Sequence, residues 1–409
     1  MFVALFATLD TKGREALFVT QALARLGVKT RLVDASCIAE PLVAADVTRE
    51  ELYAAAGVDF NALRARADRG EVVTAAAQGA ACLAQRWHAA GELAGVFGLG
   101  GSAGTTIGTS AMRALPIGVP KLMVSTLASG NVGAYVGTKD ILMMNSVVDV
   151  SGINRISRAV LTRAAQAMAG MVNAGALEKS PADKPLVAAT MFGVTTPCVE
   201  RAREMLEAAG LEVLVFHATG TGGRAMEDLI SDGMIAGVLD VTTTELADEL
   251  VGGLLGAGPA RLTAAGKAGI PQVISFGALD MVNFLGRESV PERFNERKFH
   301  RHNQNVTLMR TTPAENRSLG LEIGAKARAA KGPSALFFPL RGVSALDVAG
   351  GSFDDPAART ALLEGVRASA GPTPIHELDL HINDPAFAEA MAAKLLALMK
   401  REPTTATPR

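Results

Sequence analysis

A repeated unit constrains the fold of this chain more than any other feature of the sequence. Each copy consists of a short apolar run, a turn rich in Gly, Thr and Asp, and a segment whose apolar residues recur at helical spacing. The first copy joins a strand predicted at Phe2–Thr8 to a helix predicted at Glu15–Gly27. Continuously apolar strands that alternate with helices are typical of parallel sheets covered on both faces. The sequence therefore predicts an α/β fold with mostly parallel sheets.

The length and one charged stretch predict two domains. A chain of 409 residues exceeds the size of a single ordinary core. The stretch 176–185 is charged and holds two prolines, which predicts a linker, and the repeated unit starts again after it. We therefore expect an N-terminal α/β lobe at 1–178, a C-terminal α/β lobe at 185–401 and a flexible tail at 402–409. Such an arrangement predicts a cleft between the two lobes.

The composition excludes several classes of partner. The net charge is −1 and the charges are scattered, so we expect no nucleic-acid partner. The sequence has no run of about 18 apolar residues, which predicts no membrane partner. The three cysteines lack CxxC spacing, and the chain starts directly with an apolar strand that does not resemble a signal peptide. These features predict a cytoplasmic protein in a reducing compartment.

Two loops in the N-terminal lobe are candidates for ligand binding, because ligands of open parallel sheets bind at the carboxyl ends of the strands. The loop Ala7–Gly13 brings hydroxyl, carboxylate and ammonium groups to the start of a helix, where free N–H groups and the helix dipole favour an anion. The loop Gly98–Thr105 holds four glycines, which let the backbone approach a phosphate closely. The candidate cofactor-binding residues are Thr8, Asp10, Thr11, Lys12, Gly100, Gly101, Ser102, Gly104 and Thr105.

Each of these loops also has a purely structural interpretation. Asp10 or Thr11 could simply cap the first helix, and the glycines of the second loop could form a tight turn for close packing of helix on sheet. The second loop is not a Walker A motif, because no Lys precedes a Ser or Thr at the helix start. The next strand, Lys121–Thr126, also ends without the acid that holds a dinucleotide ribose.

The C-terminal lobe repeats the arrangement with more charged side chains. The segment Phe216–Glu227 predicts a second anion-binding turn, in which Arg224 could bind a carboxylate or phosphate. Other acids also directly follow predicted strands. The candidate catalytic residues are His217, Arg224, Glu227, Asp240, Glu245 and Asp280. The alternative for each acid is a helix cap.

His300 and His302 have a spacing that places two imidazoles on one face of an extended segment, as in some metal sites. Arg297, Arg301 and Arg310 lie in the same segment and disfavour a dication. We therefore expect this pair to contact substrate and predict no metal ligand here.

Several longer motifs carry a resemblance to a known family. They are ATLDTKG, GLGGSAGT, NSVVDVSGIN, MFGVTTPCVE, FHATGTGGRAMEDLI, LDVTTTELADELVGG, GALDMVNF, TLMRTT and HINDPAFA, and they span nearly the whole chain. The sequence resembles the ATP-binding family named after the inhibitory domain of the tomato mosaic virus resistance protein, which has bacterial members. The resemblance implies two Rossmann-like lobes, ATP bound through the N-terminal lobe, and a homodimer or higher homo-oligomer.

The resemblance does not supply a reaction, because a fold and a ligand do not fix the chemistry. The leading hypothesis is an ATP-binding enzyme that uses ATP, with Mg²⁺, on a small carboxylate-bearing metabolite bound between the lobes. One alternative is a non-catalytic protein in which ATP controls binding or regulation. Another is a metal-assisted lyase or hydrolase centred on His300 and His302.

Overall fold

The computed structural model describes residues 1–65, 68–175 and 183–400. The chain forms two compact units, the N-terminal unit Met1–Lys179 and the C-terminal unit Ser180–Arg409. Most of the expected linker, at 176–182, and the expected tail at 402–409 lie outside the described residues. Both units are α/β, and the main sheet of each is parallel, which confirms the predicted fold class.

The N-terminal unit contains one five-stranded parallel sheet in the order β2-β1-β3-β4-β5. Its strands are β1 (Phe2–Ala7), β2 (Thr30–Asp34), β3 (Leu93–Gly100), β4 (Lys121–Ser125) and β5 (Leu142–Asn145). Its helices are α1 (Leu9–Arg25), α2 (Arg49–Ala55), α3 (Phe60–Arg64), α4 (Arg69–Ala89), α5 (Ser102–Arg113), α6 (Gly133–Val136) and α7 (Arg155–Asn173). The strand order reverses between β1 and β3, which is where doubly wound sheets bind ligands.

Strand β1 shows why the sheet is covered on both faces. All six of its residues are buried, and successive side chains point to opposite faces. Ala4 and Phe6 pack into the core that contains Ala76 of α4. Leu5 packs into the opposite core, which contains Val19 of α1. Burial on both faces fixes the sheet between two helix layers and leaves the ends of its strands for function.

The C-terminal unit contains a six-stranded parallel sheet in the order β14-β13-β9-β8-β6-β7 and a small antiparallel sheet in the order β10-β12-β11. Its strands are β6 (Leu186–Met191), β7 (Glu212–His217), β8 (Gly237–Thr242), β9 (Gln272–Gly277), β10 (Met281–Phe284), β11 (Phe299–Arg301), β12 (Thr307–Arg310), β13 (Ser334–Pro339) and β14 (Ile375–Leu378). Its helices are α8 (Thr196–Ala208), α9 (Thr221–Ser231), α10 (Thr244–Val251), α11 (Ala264–Ala268), α12 (Pro313–Arg328), α13 (Pro356–Ser369) and α14 (Pro385–Met399).

None of the helices in the described residues is both long enough and apolar enough to span a membrane.

Candidate functional site

The two glycine- and threonine-rich loops of the N-terminal unit meet in a pocket of about 250 Å³ at the carboxyl ends of β1 and β3. This switch-point pocket is lined by Thr8, Asp10, Thr11, Lys12, Cys37, Ile38, Arg69, Gly101, Ser102, Ala103 and Gly104. The lining includes most of the predicted cofactor-binding residues. Gly100 and Thr105 lie outside it. Arg69 of α4 also lines it, although no pattern in the sequence predicted this residue there.

The loop after β1 places its side chains around the start of α1. Thr8 is the N-cap residue of α1, but its side chain forms no capping hydrogen bond with the described residues. Its hydroxyl lies 3.0 Å from the hydroxyl of Thr11. The carboxylate of Asp10 accepts the backbone N–H groups of Ile38 and Ala39, each at 3.2 Å. Asp10 therefore ties the loop after β2 to the rim of the pocket and does not cap α1.

Lys12 and Arg69 are the two cations of the pocket lining. The backbone of Lys12 has φ −123° and ψ 15°, which interrupts α1 near its start. Asp68 caps α4 by accepting the N–H groups of Gly70 at 2.7 Å and Glu71 at 3.1 Å, and so fixes the helix start that carries Arg69. Within the described ranges, neither cation has a hydrogen-bond or ion-pair partner. Both charges are therefore available to a ligand.

The loop after β3 contains glycines with different roles. A Cβ at Gly104 would lie 2.9 Å from the carbonyl oxygen of Leu99, so this position needs glycine for packing. A Cβ at Gly101 would find its nearest neighbour, the Thr126 hydroxyl, at 3.7 Å, so this position is open. Gly101 is the N-cap of α5 and gives it no side-chain cap. Thr105 stabilises the loop by donating to the Gly101 carbonyl at 2.7 Å.

Three of the predicted catalytic acids converge on Arg261, a fully buried residue that sequence reasoning missed. Its guanidinium forms a two-bond contact with Asp240, at 2.6 and 2.7 Å. It also donates to Glu245 at 2.6 Å and to Glu227 at 3.3 Å. Burial alone would lower the pKa of Arg261, but the attraction of these carboxylates outweighs burial and raises it. These four residues form the Arg261 cluster.

The cluster also fills the anion-binding turn that the sequence predicts before α9. Glu245 accepts the N–H groups of Gly220 at 2.6 Å and Gly223 at 3.0 Å. A Cβ on Gly223 would lie 2.0 Å from a Glu245 carboxylate oxygen, so glycine is needed to admit this side chain. The turn does bind an anion, but the anion is the carboxylate of Glu245. It leaves no room there for a phosphate of a ligand.

Glu227, the third acid of the Arg261 cluster, binds the loop that follows α10. Glu227 accepts the backbone N–H groups of Leu262 at 2.6 Å, Thr263 at 3.1 Å and Ala264 at 2.7 Å. Buried carboxylates need such partners, because an unpaired buried charge is very costly. The structure therefore uses most of the hydrogen-bonding capacity of Glu227, Asp240 and Glu245 inside the protein.

The other predicted catalytic residues form their contacts with residues outside this cluster. His217 stacks on Phe192 with 5.3 Å between ring centroids. Arg224 donates to the carbonyl of Gly256 at 2.9 Å. Asp280 accepts the Ser344 hydroxyl at 2.7 Å. Several residues that the sequence predicts as one catalytic set thus have different contacts in the folded protein.

Asp280 is fully buried after β9, and one of its carboxyl oxygens has no hydrogen-bond partner among the described residues. Burial, followed by repulsion from Asp347, raises the pKa of Asp280 to about 7. Arg310 approaches the second of these acids, with a guanidinium nitrogen 3.5 Å from the carboxylate of Asp347. Asp280 is therefore a carboxyl group that holds its proton close to neutral pH.

His300 and His302 belong to the antiparallel sheet and its following turn. The ring of His300 meets Phe353 edge-on at 6.1 Å between centroids. The backbone N–H of His302 donates to the carbonyl of Val306 at 3.1 Å. No three His, Cys, Asp or Glu side chains gather as a metal-binding group in the part of the chain that the structure describes.

Comparison with known proteins identifies relatives of both units. The model of the Uncharacterised protein family (UPF0261) N-terminal domain matches residues 1–176, and that of the UPF0261 C-terminal domain matches residues 184–399. A UPF0261 protein of Clostridium tetani is 48% identical over 403 residues, covering 98% of this chain and 99% of that protein. The ToMV resistance protein Tm-1(GCR237) of Solanum lycopersicum is 48% identical over 315 residues, covering 75% of this chain and 42% of the tomato protein.

One solved structure covers almost the whole chain but resembles it weakly. The crystal structure of a putative UDP-N-acetylglucosamine 2-epimerase from Listeria monocytogenes covers 98% of this chain and 95% of its own. The sequences are 12% identical and the TM-score is 0.24. A likeness of this size carries no functional inference.

Proposed function

The chain belongs to the UPF0261 family, and from this premise we propose that it is an ATP-binding protein that uses ATP on a small, carboxylate-bearing metabolite. The observation that carries the proposal is the switch-point pocket, in which both predicted loops of the N-terminal unit line one volume. Its position beside the reversal of strand order is where doubly wound sheets bind nucleotides. In line with the resemblance, we further propose a cytoplasmic homo-oligomer without nucleic-acid or membrane partners.

The chemistry of the pocket supports a phosphate ligand. The start of α5 presents backbone N–H groups without a side-chain cap from the described residues, and the helix dipole favours negative charge there. Lys12 and Arg69 add two positive charges. Pockets for ligands of drug size usually enclose roughly 300–1,000 Å³. A volume of about 250 Å³ therefore suits the phosphate end of ATP, with the ribose and base outside it.

The donor set of the pocket does not fit a magnesium ion held by the protein. Protein-bound Mg²⁺ normally has one or two carboxylate ligands in addition to phosphate oxygens. Asp10 is the one carboxylate in the described lining, and it already accepts N–H groups from Ile38 and Ala39. Both bonds end at one oxygen of Asp10, and the other oxygen lies 3.4 Å from the Thr11 hydroxyl. This single, partly engaged carboxylate is a poor holder for the Mg²⁺ expected from the sequence, and we assign the ion no step.

One observation favours the non-catalytic alternative, in which ATP controls the binding of a partner. The acids proposed to act on the metabolite, Glu227, Asp240 and Glu245, are held by Arg261 and by backbone N–H groups. An enzyme of this family would need to take its catalytic groups from elsewhere. Turnover of ATP that rises when a small carboxylic acid is added would favour the enzyme. Turnover that is unaffected by such acids would favour the binding protein.

Thermal melting with nucleotides tests the ATP site. We expect ATP at about 100 times its Kd to stabilise the protein by about 2.7 kcal/mol, with a smaller effect of NAD. The variant Gly101→Val should fold and lose this stabilisation, because its side chain covers the open side of the loop. Gly104→Val is the contrasting variant, because it should destabilise the fold itself through contact with Leu99. A larger shift with NAD, or normal ATP binding by Gly101→Val, would refute the proposed site.

A further inference from the structure

We propose that the switch-point pocket binds phosphate directly through Lys12 and Arg69, so that the ligand is the free nucleotide anion and not its magnesium complex. This inference rests on the proposed nucleotide-binding function and adds the means of recognition. It also adds Arg69, which belongs to neither of the loops that the sequence singled out.

The first argument is the balance of charge in the pocket. The lining contains the positive side chains Lys12 and Arg69 and the negative side chain Asp10, which leaves one net positive charge. Cations from α1 and α4 that have no partner among the described residues thus line one small volume. The exposed ends of α1 and α5 add positive dipole ends to the same place. Polyphosphate groups are the ligands that such a set of donors suits.

The second argument is that the surrounding contacts position the cations. The interruption of α1 at Lys12 takes this residue out of regular helix geometry within the loop that lines the pocket. The cap that Asp68 gives to α4 uses the neighbouring carboxylate on backbone N–H groups. That carboxylate is therefore engaged and does not neutralise Arg69 through an ion pair.

The third argument is that the pocket lacks what a metal-bound nucleotide needs. One oxygen of Asp10 accepts from Ile38 and Ala39, and the other lies 3.4 Å from the Thr11 hydroxyl. Thr8 and Thr11 also pair with each other. A Mg²⁺ ion would be repelled by Lys12 and Arg69 and would neutralise the phosphates that these side chains bind. The expected ligands are therefore ATP or ADP without metal. Inorganic pyrophosphate shares their chemistry and should compete.

The experiment is isothermal titration calorimetry of the full chain with ATP, once with excess Mg²⁺ and once with EDTA. We expect ATP to bind at least as tightly in EDTA as in Mg²⁺. Lys12→Ala and Arg69→Ala should each weaken binding by about tenfold or more. Lys12→Arg and Arg69→Lys keep the charge and should retain more affinity than the alanine variants.

The chain offers matched controls for both helices. Arg14→Ala removes an exposed cation from α1 outside the pocket lining, and Arg86→Ala removes one near the opposite end of α4. Both should bind ATP as the wild type does. Circular dichroism and thermal melting without ligand would show that each variant is folded.

The possible outcomes separate this inference from the proposed function. ATP binding that requires Mg²⁺ would overturn the inference and leave the nucleotide site standing. Binding in EDTA that is unaffected by either alanine variant would also overturn it, because the charge would then come from elsewhere. Absence of ATP binding under both conditions would overturn both proposals. Competition by adenosine and not by pyrophosphate would show that the pocket recognises the nucleoside and would refute phosphate recognition.

Discussion

The environment of Asp280 predicts how the stability of the protein changes with pH. Its pKa is raised from 3.8 to about 7, first by burial and then by Asp347. Between these two pH values the folded chain keeps a proton that the unfolded chain has released. The contribution of Asp280 to stability is therefore complete below pH 3.8 and is lost as the pH rises through about 7. The slope can reach about 1.4 kcal/mol per pH unit.

The variant Asp280→Asn should remove this pH dependence, because the amide keeps an acceptor for Ser344 and never ionises. We expect the difference in free energy of unfolding, variant minus wild type, to increase as the pH rises toward 7. Urea denaturation at several pH values measures this difference. Asp354→Asn is the control of opposite sign, because a Gly350 N–H mainly lowers the pKa of Asp354 below 3.8. The contribution of Asp354 to stability is lost only as the pH falls below 3.8, so this variant should track the wild type toward pH 7. A difference between wild type and Asp280→Asn that does not vary with pH would contradict an elevated pKa.

At the level of single residues, the sequence could predict those that lie in a loop between a strand and a helix. Lys12 and Gly101 were found in this way, and both line the pocket. Arg69 and Arg261 had no such signal. Arg69 reaches the pocket from α4, and Arg261 binds acids that are distant from it in the chain. Their partners depend on how elements pack, which residue spacing does not encode.

At the level of elements, the Arg261 cluster joins β8, α9, α10 and the loop before α11. Removing the guanidinium in Arg261→Met would leave Asp240 and Glu245 as buried charges without their cation. We expect the free energy of unfolding to fall by about 3–5 kcal/mol, measured by urea denaturation. The control is Arg341→Met, which breaks an ion pair with Asp379 whose side chains are 61% and 72% exposed. This change should leave the free energy of unfolding almost unchanged, because exposed ion pairs contribute little, and equal losses in both variants would refute the structural role of the cluster.

The elements themselves differed in how far the sequence could reveal them. The helix predicted at Glu15–Gly27 overlaps most of α1, because its apolar residues recur at helical spacing. Helix α4 was missed, since its buried face is mostly alanine and contrasts little with its exposed face. The apolar run at 306–309 largely coincides with β12, which belongs to an antiparallel sheet. Strand direction depends on the partner, and an apolar run does not specify it.

At the level of the whole molecule, the two units reverse their strand order in the same way, at β2-β1-β3 and at β7-β6-β8. They differ in what their glycine-rich turns hold. In the N-terminal unit the turns line a pocket with two cations that have no partner in the described part of the chain. In the C-terminal unit the turn before α9 is filled by Glu245. The proposed nucleotide therefore belongs to the N-terminal unit, and the similarity of the two topologies does not imply two nucleotide sites.

Hydrogen exchange of the full chain, measured by mass spectrometry with and without ATP, tests this difference directly. We expect ATP to slow exchange at 101–105, because phosphate would bind the N–H groups at the start of α5. Exchange should also slow at 8–12 and 38–39, because bound phosphate would hold these already hydrogen-bonded loops together. The turn at 217–224 should be unchanged, because the N–H groups of Gly220 and Gly223 are already donated to Glu245. Gly101→Val provides the control, since it should abolish the protection while its exchange without ligand stays like that of the wild type. Protection by ATP at 217–224, with none at 101–105, would place the nucleotide in the C-terminal unit and refute the assignment.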